Sequence, residues 1–69
     1  MKYFFVCVTT QYDGYEWRCL DLIEAKDEQE ARKKAENTDY TRENGIEVQE
    51  IEWVKGITNE HYQVLKQYI

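Results

Sequence analysis

Two strand-like runs meet at Asp13-Gly14, and this dipeptide constrains the fold more than any other stretch of the chain. Residues 2–10, KYFFVCVTT, are rich in β-branched and aromatic side chains, and residues 15–24, YEWRCLDLIE, resume the pattern. Asp-Gly between two such runs predicts a hairpin, because both turn positions need positive φ, which glycine and aspartate tolerate. With a two-residue loop, Tyr12 faces Tyr15, Val8 faces Cys19, Cys7 faces Leu20 and Phe5 faces Leu22. One face then carries Tyr3, Phe5, Cys7, Leu20 and Leu22, and the other carries Phe4, Val6, Val8, Trp17, Cys19 and Ile23. Both faces are apolar, and the two cysteines lie on opposite sides. A three-residue loop would slip the register by one and bring the two sulfurs side by side. The near-continuous apolarity of residues 2–10 predicts a central strand.

After the hairpin, AKDEQEARKKAENTDY predicts a helix. Asp27 is the N-cap and Glu30, three residues on, completes an approximate capping box. Ala31 and Ala35 form a small apolar stripe that allows close approach to a sheet. The helix should end near Asn37, and TDYTRENG reads as a polar loop closed by Asn44-Gly45. Residues 46–55, IEVQEIEWVK, predict a third strand with a parity break between Ile46/Val48 and Ile51/Trp53. A bulge near Gln49-Glu50 would bring these onto one face. Gly56 is expected to break the strand. ITNEHYQVLKQYI then predicts a short terminal helix with Thr58 as N-cap and Ile57 stapled on Tyr62. Tyr62, Leu65, Tyr68 and Ile69 fit one face of it. The expected fold is α+β in one domain, residues 1–69. It has β-β-α-β-α order, a three-stranded antiparallel sheet, one helix packed on a face and a short C-terminal helix.

A chain of 69 residues builds a thin core and favours a shallow binding surface over a deep cleft. Fourteen acidic against nine basic residues give a net charge of −5, which argues against direct nucleic-acid binding and permits a basic protein partner. No apolar run is long enough to span a bilayer, and MKYFFVCVTT has neither the h-region nor the cleavage site of a signal peptide. Cys7 and Cys19 are too few for a disulfide scaffold and are not spaced as CxxC, so the expectation is a reduced, cytoplasmic protein.

The chemistry of an enzyme is sparse. Serine is absent. Either cysteine with His61 would make a Cys-His pair, but thiols among apolar strand residues stay protonated. One histidine and two separated cysteines do not make a zinc site, and the isolated glycines form no phosphate cradle. The expectation is therefore no enzyme, no cofactor and no metal. The surviving class is protein binding, where Tyr and Trp supply large rigid contact area. Tyr12, Asp13, Tyr15, Glu16 and Trp17 form an aromatic tip with an acidic rim. Glu43, Glu47, Glu50 and Glu52 are a second candidate patch, whose carboxylates would imitate a phosphate track toward an Arg/Lys-lined groove.

The pattern Ala25, Asp27, Glu30, Ala31, Ala35 between a hairpin and a third strand resembles small proteins of phages and conjugative elements. Some proteins of that size and order are similar to anti-CRISPR proteins. That resemblance implies a non-enzymatic inhibitor in the cytoplasm of a host bacterium, acting on a nucleic-acid-handling complex such as a CRISPR effector. The alternative expectation is a homodimeric accessory module that buries its second apolar sheet face against a copy of itself.

Overall fold

In the computed structural model, which describes residues 1–41 and 48–69, the chain reverses at Asp13 and Gly14 with φ of 48° and 81°. Two positive φ angles in succession are the mark of the tight hairpin turn whose twist matches the flanking strands. The two-residue loop sets the register: Tyr12 opposes Tyr15, Val8 opposes Cys19 and Phe5 opposes Leu22. Strands β1 (Lys2–Tyr12) and β2 (Tyr15–Ala25) pair along their full length. Cys7 and Cys19 consequently project to opposite faces, and both are free thiols.

Helix α1 (Glu28–Glu36) follows, then β3 (Val48–Ile57) and α2 (Asn59–Leu65). The sheet order is β2-β1-β3, antiparallel throughout, with the apolar strand β1 at its centre. The fold is therefore α+β, with a three-stranded antiparallel sheet and two helices. Asp27 caps α1 by accepting from the Glu30 N–H at 2.9 Å, a bond worth about 1 kcal/mol. Glu30 reaches back to the Lys26 N–H at 3.2 Å, one residue earlier than a standard capping box requires. Ala31 and Ala35 are fully buried and bring α1 down onto Phe4, Val6, Val8, Ile23, Ala25 and Val54. Burying each of the larger of these side chains contributes about 1.5–3 kcal/mol.

Three expectations for the second half of the chain change. The bulge lies at Glu52: Cys7 opposes Trp53 and Val8 opposes Ile51, which leaves Glu52 as the extra residue. Ile51 therefore faces α1, and Trp53 faces the opposite side of the sheet. The strand also continues through Gly56 to Ile57, with Gly56 opposite Phe4. Finally, α2 stops at Leu65, so Tyr68 and Ile69 lie beyond the helix and are exposed. The expected residues Glu43, Asn44-Gly45, Ile46 and Glu47 lie outside the described residues.

Candidate functional site

Alternation along β1 divides the sheet into a covered face and an open one. The covered face is closed by α1 and by the segment that leaves it. Tyr40 packs against the core, and its hydroxyl donates to Asp21 Oδ2. Its backbone N–H donates to Gln49 Oε1 at 3.0 Å, while Gln49 Nε2 donates to the Thr38 carbonyl at 2.8 Å. Asp21 on β2 and Gln49 on β3 thus hold this segment across the sheet. Burial first, and then the Asp21 carboxylate, push the Tyr40 phenol well above its ordinary value.

The consequence for stability has a definite sign. The unfolded phenol ionises near pH 10, whereas the folded one keeps its proton to higher pH. The stabilisation is therefore complete below about pH 10 and is lost as pH rises above it. Tyr40→Phe is expected to cost about 1 kcal/mol at neutral pH and to shallow the decline in stability on the alkaline side. Urea unfolding of both proteins near neutral pH and near pH 11 checks this.

The open face holds Tyr3, Phe5, Cys7, Thr9 and Gln11 from β1, and Glu16, Arg18, Leu20, Leu22 and Glu24 from β2. Its half nearest the hairpin is polar. Arg18 Nε donates to Glu52 Oε2 at 2.8 Å, Thr9 Oγ1 donates to the same oxygen at 3.0 Å, and the Cys7 thiol does so at 3.4 Å. Arg18 also lies 3.3 Å from Glu16, which accepts from Gln11 Nε2 at 3.1 Å. Arg18, then Thr9 and Cys7, hold the Glu52 carboxyl below the usual carboxylate range. Burial, reinforced by Glu52, pushes the Cys7 thiol up. A buried thiol hydrogen-bonded to a carboxylate is protonated at neutral pH and is a poor nucleophile.

The other half of the open face is apolar. The Phe5 and Trp53 rings meet edge to face with centroids 5.3 Å apart, and Lys55 Nζ sits 4.8 Å from the Trp53 ring centroid. At the far end Tyr62 of α2 packs on Tyr3 at 4.5 Å. Helix α2 therefore reaches only the start of β1 and does not roof the face; Leu20 remains 47% exposed. No helix among the described residues is long and apolar enough to cross a membrane. No group of three or more His, Cys, Asp or Glu among them has the placement of a metal site.

The residues expected at the site separate into distinct places. Tyr12, Asp13, Tyr15 and Glu16 do gather at the hairpin tip, where with Gly14, Gln11 and Val48 they border a shallow open depression. Tyr15 is 69% exposed and Val48 67% exposed. Trp17 lies apart from the tip's outer surface: it opposes Thr10 on the covered face and is half-buried. Glu50 opposes Thr9 and shares the open face with Glu52. Glu52, however, is already bonded within the chain, so it is not a free anionic contact. Glu43 and Glu47 lie outside the described residues.

Arg18, Thr9, Tyr40 and Asp21 are the residues whose roles escaped sequence reasoning. The Glu16/Arg18 pair, two apart on one strand face, was the available signal for the first. Tyr40 was the sole aromatic in an otherwise polar loop. Comparison of the chain with family models, curated proteins and solved structures finds no match.

Proposed function

We propose that the protein is a non-enzymatic binding protein that contacts a protein partner through the tip of the β1–β2 hairpin. The observation that carries this reading is Tyr15, a large aromatic side chain left mostly in water beside exposed Val48 at the end of a rigid sheet. Exposed tyrosine on a pre-organised turn supplies contact area at little entropic cost, the property that makes it frequent in binding hot spots. Asp13 and Glu16 add an acidic rim, and the net charge of −5 steers the chain toward a basic surface.

Within this class, the acidity and the resemblance to mobile-element proteins favour inhibition of a bacterial nucleic-acid-handling complex such as a CRISPR effector. Asp13, together with Glu16 exchanging its pairing with Arg18 and Gln11 for the partner, would occupy the cationic groove in place of phosphates. The test is a competition assay with purified effector complexes and their labelled target DNA. Wild-type protein is expected to displace the DNA, less so at high salt. Tyr15→Ala is expected to weaken displacement about tenfold or more, and Glu16→Lys to weaken it as well. Displacement indifferent to Tyr15→Ala removes the tip from the interface, and failure to displace DNA from any effector removes the inhibitory reading.

A further inference from the structure

The outer edge of β2 is closed along one half and open along the other. The pair flanking a two-residue turn is hydrogen-bonded, and pairs alternate from there. Glu16, Arg18, Leu20, Leu22 and Glu24 therefore point their backbone groups away from β1. In the half nearest α1, the Leu22 N–H donates to Asp21 Oδ1 at 2.8 Å, and the Glu24 carbonyl accepts from Lys34 Nζ at 2.7 Å. In the half nearest the hairpin, nothing among the described residues bonds to the backbone N–H or C=O of Glu16, Arg18 or Leu20. Charged side chains on an edge strand ordinarily discourage pairing, but here both are drawn inward over the open face. Arg18 reaches over β1 to Glu52 of β3 at 2.8 Å, and Glu16 is held by Arg18 at 3.3 Å and by Gln11 of β1 at 3.1 Å. The remaining residue of the row, Leu20, is apolar and 47% exposed. The opposite edge, β3, is bent by the bulge at Glu52, which resists strand addition.

From this contrast we infer that the Glu16–Leu20 edge of β2 accepts an extended segment of a protein partner as an added strand. This contact presupposes the protein-binding role of the hairpin tip and continues it from Tyr15 along the adjoining edge. Free backbone groups that repeat about every 7 Å along a strand are complemented by another extended backbone. In such pairing the main-chain bonds supply affinity and alternate side chains supply specificity. On the open side the added side chains lie beside Glu16, Arg18 and Leu20, and on the other side beside Trp17 and Cys19. The net charge of −5, with Glu16 next to Asp13 at the tip, favours a segment that is basic at the tip end and apolar beside Leu20. The same charge sets one copy of the chain against another, which favours an unlike partner at this edge.

A short, end-blocked peptide of alternating valine and lysine is the probe, titrated into isotope-labelled protein and followed by heteronuclear NMR and amide exchange. The Glu16, Arg18 and Leu20 amides are expected to shift saturably at millimolar peptide or below and to exchange at least several-fold more slowly. A peptide N-methylated at every residue keeps its charges but lacks donors, and is expected to bind about tenfold or more weakly. Leu20→Pro removes an outward N–H without removing a bond to β1 and is expected to weaken binding similarly, with the β1 amides confirming the fold. No protection of these amides at several millimolar peptide overturns the inference. Equal binding of the N-methylated peptide, or by Leu20→Pro, also overturns it, because the attraction is then electrostatic alone. Protection that rises with protein concentration in the absence of peptide gives the edge to a second copy and overturns it too. No effector enters this titration, so failure of DNA displacement by the tip and failure of strand addition at the edge are separate results.

Discussion

Phe4→Ala is expected to destabilise the protein by about 3–5 kcal/mol, the range for truncating a buried aromatic side chain. Phe4 is 5% exposed, on the central strand, opposite Ile23 on one side and Gly56 on the other. Its ring lies 3.9 Å from where a Gly56 Cβ would stand, an ordinary van der Waals contact. Little can collapse into the vacated space, because the strand residues of its core cluster, Val6, Val8, Ile23, Ala25 and Val54, are held in place by strand pairing. A domain of this length has a total stability of roughly 3–10 kcal/mol. The variant should therefore lose from about a third to all of that stability. Thermal and urea unfolding followed by circular dichroism measure this. A loss below about 1 kcal/mol would mean that Phe4 is not in a close-packed core.

Ala31→Leu is the second large effect, with an expected loss of about 1–3 kcal/mol from overpacking. Ala31 and Ala35 are fully buried on the face of α1 that meets the sheet. Leucine adds three carbons where the helix packs into the cluster of Phe4, Val6, Val8, Ile23, Ala25 and Val54. Its helix propensity is close to that of alanine, so the loss reports packing and not helix formation. Lys33→Leu, on the exposed side of the same helix, is expected to fall within about 0.5 kcal/mol of wild type. Equal unfolding midpoints for the two variants would show that α1 does not rest closely on the sheet.

These two substitutions also separate what could be read locally from what could not. Asp13-Gly14 encodes its turn through the φ angles that only a few residue types adopt, and the turn length then determines every pair from Tyr12–Tyr15 to Lys2–Ala25. Asp27 caps α1 through a side chain that reaches its own next turn. The Ala31/Ala35 stripe follows from the helical period alone. For such features the interacting groups are neighbours in the chain or follow from a strict repeat.

The third strand behaves differently. The parity break between Val48 and Trp53 requires a bulge but does not place it. The bulge sits at Glu52, where the carboxylate meets Arg18 and Thr9 from two other strands, and Ile51 turns toward α1. Gly56 has the signature of a break, yet pairing with Phe4 carries the strand past it. Tyr40 looked like part of a polar loop because Asp21 and Gln49, which hold it, are 19 and 9 residues away. The candidate site was legible in the same partial way. Tyr12, Asp13, Tyr15 and Glu16 cluster because they flank one turn. Trp17 shares a sheet face with Tyr12 and Tyr15 but stands two pairs further from the turn, opposite Thr10, where that face is covered. Local chemistry determined the hairpin, its register, the caps and the small-residue helix face. Tertiary structure decided the bulge, the anchoring of Glu52 and Tyr40, and which sheet face stays open, because each depends on partners that only the folded chain brings together.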